Sequence, residues 1–257
     1  MSMPRKYQYA LVLFIVLLPV VAVLLLLYRP QSDALWRIVS QQCLPHQSTT
    51  GVPTPCARVN TKQGYVLLKD RKGILQYLLL PTRRNSGIED PQLLSPATPN
   101  YLAAAWHNRD LLSQRYGSAI PDRLLSLTIN SRYGRTQDQL HIHLSCTRQH
   151  IVTDLWRIYP TLRTQWRRIG DIEGKRYWAR RLSNATLERE SPFILLAQLA
   201  GTPDAMADYG LALLPAPDGQ LILLATRRAL WRGNLASIET IQDHRCPQLY
   251  PQSAGTP

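Results

Sequence analysis

From Tyr9 to Tyr28 the chain reads YALVLFIVLLPVVAVLLLLY, a stretch without a single charge. Its length matches the ~20 apolar residues that carry a helix across a ~30 Å hydrocarbon layer. No other feature constrains the chain as strongly, because an uncleaved span decides in which compartment everything after it folds. Arg5 and Lys6 precede the stretch and favour a cytoplasmic N-terminus. Residues 1–8 are therefore read as a cytoplasmic tail and 9–28 as a transmembrane signal-anchor helix. Tyr7, Tyr9 and Tyr28 suit the membrane interfaces, and Pro19 is a kink that a spanning helix tolerates. A cleavable signal peptide has a shorter apolar core of ~7–15 residues ending in a small-residue site. Here the core runs into Arg29-Pro30, and Ser32-Asp33-Ala34 is a poor cleavage site. Everything after Arg29 is expected outside the cytoplasm.

The cysteines agree with an oxidising compartment. There are four, Cys43, Cys56, Cys146 and Cys246, an even number. Three pairings are possible. Cys43 and Cys56 bracket the Pro/Ser/Thr-rich LPHQSTTGVPTP, so a bridge there would staple a loop. That leaves Cys146 with Cys246, tying the C-terminal segment to the strand that ends in Cys146. A Cys-His metal site is the alternative, and it lacks any C-x-x-C pair.

The net charge of +13 points to an anionic partner: nucleic acid, an anionic membrane surface or a phosphorylated substrate. The basic residues are scattered, and no zinc-finger spacing, basic zipper or RNA-binding aromatic motif occurs, which sets nucleic acid aside.

Periodicity divides the remainder. Residues 29–62 read as an exit helix (SDALWRIVSQQ, capped by Asp33) and the stapled loop. GYVLLKDRKGILQYLLLP, residues 64–81, is a hairpin. A polar loop (82–98), a helix (100–117), a strand (124–130), a turn (131–138) and a second strand (139–146) follow. Helical runs are expected near 151–168 and 191–200, a strand at KRYWARRL (175–182), a hairpin over 210–228 and a helix around NLASIETIQ (234–242). The tail, 248–257, is expected to be disordered. Gly64 and Gly73 have the same spacing as Gly210 and Gly219, so the second hairpin echoes the first. A degenerate duplication and the ordinary likeness of hairpins both explain that echo.

The chemistry concentrates in QDQLHIHLSC, residues 137–146. Side chains alternate along a strand. Gln139, His141, His143 and Ser145 therefore share one face, and Leu140, Ile142, Leu144 and Cys146 form a core face on the other. Two imidazoles on a polar row, preceded by the turn Gly134-Arg135-Thr136, outline an anion site with a nucleophile or acid–base group and donors for phosphate oxygens. An incidental polar strand is the blander account. A zinc site would need a third ligand from His107, His150, His244 or a carboxylate, and no spacing supplies one.

GRTQDQLHIHLS resembles the signature of the histidine-triad (HIT) superfamily, a polar turn followed by H-φ-H-φ-H-φ-φ with φ apolar. Gln139, His141 and His143 fall at its three histidine positions, so the first is substituted. The segments QQCLP, GYVLLKD, LQYLLLPT, HIHLSC, YGLAL, LLATRR and IQDH-C extend the likeness to one membrane-bound branch, the CDP-diacylglycerol pyrophosphatases. The resemblance implies an α+β fold: a HIT-like antiparallel sheet with flanking helices over 63–247, with 63–150 the active half and 151–247 a degenerate half, after the transmembrane helix.

It further implies a hydrolase that cleaves CDP-diacylglycerol to CMP and phosphatidic acid at a bacterial inner membrane, with the catalytic domain on the periplasmic side and needing neither cofactor nor metal. His141 would attack phosphorus and carry a cytidylyl group, with His143 holding a phosphate oxygen or protonating the leaving group, and Gln139 supporting the site by hydrogen bonds. Asp70 would accept from ribose hydroxyls, Gln76 stands where a histidine is usual, Asn130 would position phosphate or orient His141, and Arg132, Arg135 and Thr136 would supply donors. A basic surface would hold the domain against anionic headgroups. The alternatives are transfer of CMP to an acceptor other than water, and a catalytically decayed protein that binds anionic lipid.

Overall fold

The computed structural model describes residues 17–21 and 33–250. Most of the expected span at 9–28 and the last seven residues of the tail lie outside the described residues. Among the described residues no helix is long and apolar enough to cross a membrane. The chain divides into two units after Ser32, and residues 33–250 carry the fold of the second.

The unit begins with helix α1 (Ala34–Ile38), a π-helical turn over Val39–Cys43 and helix α2 (Leu44–Thr50). Half of the segment expected to be a stapled loop is therefore helix. Pro45 sits in the first turn of α2, where its missing N–H costs nothing, and Gly51 ends the helix at φ 73°. Asp33 does not cap α1; its carboxylate pairs instead with Arg84 at 2.6 Å. The Cys43–Cys56 disulfide closes the segment.

Nine strands form one antiparallel sheet: β1 (Cys56–Asn60), β2 (Tyr65–Lys69), β3 (Gln76–Pro81), β4 (Leu125–Ile129), β5 (Ile142–Cys146), β6 (Arg167–Ile172), β7 (Lys175–Leu182), β8 (Tyr209–Pro215) and β9 (Leu221–Arg227). Their order is β1-β2-β3-β5-β4-β8-β9-β7-β6. Outward from the central β4–β8 pair, the strands run β4-β5-β3-β2 on one side and β8-β9-β7-β6 on the other. The two hairpins with matching glycine spacing, β2–β3 and β8–β9, hold non-corresponding places in that order.

Register sorts the side chains into faces, because residues paired across a ladder point the same way. His143 pairs with Leu78 and Thr128, and Ser145 with Gln76 and Ser126. The opposite face carries the main core, with Leu79, Leu127, Ile142, Leu144, Leu211 and Leu223 under helices α3 (Tyr101–His107) and α4 (Asp110–Tyr116). The histidine face carries two smaller cores. One packs Val66, Leu68, Leu78 and Leu80 against Val39 and Cys43 of the π-helical turn. The other packs Ala212, Leu214, Ile222 and Leu224 under helix α5 (Gln149–Ile158). Between them lies a polar strip, and the histidines are in it.

Two helical expectations are corrected. The helix near 151–168 stops at Ile158 and a 3-10 turn over Tyr159–Thr161. Pro160 cannot donate to the α-helical ladder, and Arg167–Ile172 becomes the edge strand β6. Around 234–242 only a 3-10 turn forms, Ile238–Ile241. The Asn234 side chain donates to Thr226 and to the Arg227 carbonyl and accepts from the Ala236 N–H, and Ala236 takes φ 56°. These local bonds compete with a helix.

Candidate active site

His141 precedes β5 by one residue. Its Nδ1 lies 2.7 Å from the Gln139 carbonyl oxygen. A carbonyl only accepts, so Nδ1 carries the proton and Nε2 presents a lone pair. Nε2 has no hydrogen-bond partner among the described residues. Burial pushes the His141 pKa down, against the Gln139 carbonyl and the Glu239 charge, which pull it up. The ring is neutral at physiological pH, as a nucleophile requires.

His143 lies with its ring centroid 4.9 Å from that of His141. The Gln76 side-chain amide donates to its Nδ1 at 2.7 Å. Reversing that amide would set its oxygen, not its nitrogen, 3.4 Å from the Glu239 carboxylate, which fixes the orientation. The proton of His143 is therefore on Nε2. Nε2 is buried and makes no close hydrogen bond, the nearest acceptor being Glu239 Oε2 at 3.4 Å. A buried N–H without a partner is costly unless something fills the place. Burial lowers the His143 pKa to about 3, so this ring too is neutral.

Glu239 stands on the 3-10 turn Ile238–Ile241. Asn130, just past β4, grips it twice: Nδ2 donates to Oε2 at 2.9 Å, and the Glu239 N–H donates to Oδ1 at 3.0 Å. His244 donates to Oε1 at 3.0 Å and stacks on His143 with centroids 6.4 Å apart. Burial would raise the Glu239 pKa, but the His244 hydrogen bond, the neighbouring imidazoles and the Asn130 amide outweigh it and hold the carboxyl well below the usual range. Gln242 anchors the same segment to Ser126 and Thr128.

Two features hold His244 in place. The Cys146–Cys246 disulfide joins the end of β5 to the residue two beyond it, across a sequence separation of 100. On the other side, the Leu75 N–H donates to the His244 carbonyl at 3.0 Å, and Gly73 passes so close that a Cβ there would lie 2.3 Å from the His244 Cβ.

The residues singled out from sequence separate into two groups. His141, His143, Gln76 and Asn130 converge on the polar strip. Gln139 is fully buried and faces the loop after β3: its Nε2 donates to the carbonyls of Pro81 and Arg83, and its Oε1 accepts from the Asn85 N–H. Asp70 is half-buried, accepts from the Lys72 N–H and acts on His141 electrostatically. Arg135 forks onto Glu89 with two 2.7 Å bonds and reaches Asp138 at 3.1 Å, bracing its own loop. Arg132 and Thr136 are exposed on that loop. A groove of about 540 Å³, lined by Trp106, Arg109, Trp156 and Pro215, lies beyond the opposite ends of the strands and touches neither histidine.

Sequence reasoning missed Glu239 and weighed His244 only as a possible zinc ligand. The signal was the expected Cys146–Cys246 bridge, which obliges residues shortly before Cys246 to lie beside the histidine strand.

Residues 30–250 match the family described as CDP-diacylglycerol pyrophosphatase. This chain belongs to that family. It is 45% identical over 252 residues to the CDP-diacylglycerol pyrophosphatase of Yersinia pestis, covering 97% of this chain and 98% of that one. The CDP-diacylglycerol pyrophosphatase match takes in all nine strands, both disulfides and the Glu239–His244 segment. By its family the protein is a hydrolase.

Proposed function

We propose that the protein hydrolyses CDP-diacylglycerol to CMP and phosphatidic acid in two steps on His141. In the first, the Nε2 lone pair attacks the cytidine-side phosphorus. An N–P bond forms, the anhydride P–O bond breaks, and its electron pair leaves with phosphatidate. In the second, water attacks the same phosphorus and the N–P bond breaks. Its pair returns to Nε2, hydroxyl stays on CMP, and the proton goes to solvent. Splitting one displacement into two is the benefit of covalent catalysis.

The observation that carries this reading is the His141 tautomer, locked by the Gln139 carbonyl with Nε2 unengaged. The neighbours have complementary roles. A cytidylyl group on Nε2 makes the ring cationic, and the Glu239 carboxylate, which already favours positive charge on His141, stabilises that state. The unpartnered His143 Nε2–H is a donor for a phosphate oxygen, a contact of the kind worth ~3 kcal/mol when aimed at developing charge. Gln76 holds the His143 tautomer that keeps that donor available.

The fold is read as a duplicated HIT-like unit. The support is the strand order, in which β6-β7-β9-β8 repeats β2-β3-β5-β4 about the central pair. This equates β2–β3 with β6–β7, not with β8–β9. The uncharged stretch at 9–28 and the two disulfides favour a single-pass anchor in a bacterial inner membrane with the catalytic domain on the periplasmic side.

The test is turnover of CDP-diacylglycerol in detergent micelles containing EDTA, with products identified by mass spectrometry. Wild type should release CMP and phosphatidic acid, and His141→Ala should not. A cytidylyl adduct should be trapped on His141 by acid-free quenching. Equal turnover by both forms would remove His141 as the nucleophile, and no turnover by either would refute the substrate.

A further inference from the structure

The most exposed large apolar side chains of the described unit include a neighbouring pair at the tip of the loop after β9. Trp231 is 83% exposed and Leu230 61%. Two adjacent apolar side chains at the end of a well-braced loop are unusual on a soluble surface. The brace is explicit. Arg228 bonds Asp208 at 2.9 Å and lies 3.7 Å over the Tyr133 ring, Arg232 bonds Asp171 at 2.9 Å, and the Ala229 and Asn234 backbones pair with each other. With Arg227, three guanidinium groups flank the tip against two carboxylates, so it remains positively charged.

The position of the tip matters more than its composition. Ladder pairing sets the end of β9 beside the start of β8, the end of β4, the start of β5 and the end of β3. The tip, His141 and the loop after β3 therefore lie at one end of the sheet. Three strand spacings separate β5 from β9, ~14 Å at ~4.8 Å each. The chain enters the unit at this end as well. The Asp33 carboxylate holds Arg84 in the loop after β3, and the Leu35 N–H donates to the Gln137 side chain at 3.2 Å. The uncharged stretch at 9–28 lies immediately upstream of that entry point.

We propose that Leu230 and Trp231 insert into the interfacial layer of an anionic bilayer, with Arg227 and Arg232 on its headgroups, and so turn the His141 end of the sheet towards the membrane. Tryptophan prefers that layer, and basic side chains beside it add attraction to anionic lipid. A single anchor upstream leaves the orientation of the unit open; a second contact fixes which end faces the lipid. The proposal deepens the reading of the substrate as a lipid, but its first test does not depend on that reading.

The full chain would be reconstituted in vesicles of phosphatidylglycerol and phosphatidylcholine, with and without brominated acyl chains. Brominated lipid should quench part of the tryptophan emission, and Trp231→Phe should abolish that part. Quenching that is unchanged by Trp231→Phe overturns the proposal. So does a Trp231 shielded from both brominated lipid and aqueous iodide, which would mean that a second copy of the chain covers the tip. As a second readout, Leu230→Ser/Trp231→Ser should raise KM for CDP-diacylglycerol in these vesicles ~10-fold or more, in line with losing burial of at least one large side chain. Turnover of the same lipid in detergent micelles should not change. An unchanged KM in vesicles counts against the proposal; absence of turnover by every form, with quenching intact, refutes only the substrate.

Discussion

Replacing Gln139 with alanine separates two roles for the residue at the first triad position. From sequence it was expected to support the chemistry. In the structure its amide is spent on main chain: two carbonyls accept from Nε2 and the Asn85 N–H donates to Oε1, all around the loop after β3. What it gives His141 is its own backbone carbonyl, which alanine retains. The Pro81 carbonyl and the Asn85 N–H are left buried and unsatisfied at ~1 kcal/mol or more each, and the partly buried Arg83 carbonyl loses its partner too, so the three together cost ~3 kcal/mol. For a domain of this size, 1 kcal/mol shifts Tm by roughly 2–4 °C, and the variant should melt about 6–12 °C lower. Its kcat at a temperature where it is still folded should stay within ~10-fold of wild type. Differential scanning calorimetry and a turnover assay on one preparation are sufficient. A variant with wild-type Tm and activity reduced ~10³-fold would refute the structural account and make the Gln139 side chain part of the chemistry.

Four other outcomes are expected. His143 stays unprotonated in the fold down to about pH 3, whereas the unfolded chain takes up the proton near 6.5, so stability should fall as pH drops from 6.5 towards 3 and level off above 6.5. Urea melts at pH 7 and pH 5 should show this, with the difference reduced in His143→Asn. The burial that lowers the His141 pKa means that kcat/KM should not halve at pH 6.5, as it would for an ordinary histidine nucleophile. Removing the 100-residue Cys146–Cys246 bridge should cost ~5 kcal/mol and removing the 13-residue Cys43–Cys56 bridge ~3, yet only the first should lower kcat more than ~10-fold in the remaining folded protein. Gly73→Ala, at φ 71° and against His244, should reduce kcat, whereas Gly219→Ala, at φ 77° with no neighbour within 4 Å, should cost ~1 kcal/mol of stability and leave kcat unchanged.

What could be read in advance follows the reach of the forces involved. Alternation along HIHLSC gave the histidine face and the core face, because strand periodicity is local. The hairpin β2–β3, the hairpin β8–β9 and the strand KRYWARRL were legible for the same reason. The helix expected around 234–242 was not a helix, since Asn234 spends its side chain on Thr226 and the local backbone. The role of Arg135 was equally hidden: its partner Glu89 is 46 residues away in a loop without periodicity. Glu239 and His244 reach the histidines only through tertiary contacts and one covalent bridge. The strand order that relates the two halves appears only once pairing is known, and the glycine spacing suggested a different correspondence.

The bridge that positions His244 also sets an order of assembly. His141 and His143 emerge from the ribosome some hundred residues before Cys246, so a growing chain carries both histidines long before the Glu239–His244 pair exists. The covalent hold on the segment that carries His244 exists only in a chain extended past Cys246 and then oxidised. A product truncated before Cys246, or one held in a reducing compartment, would keep the histidine strand but lack the covalent hold on its acidic partner. Synthesis past Cys246 and oxidation thus together complete the covalent support of the histidine site.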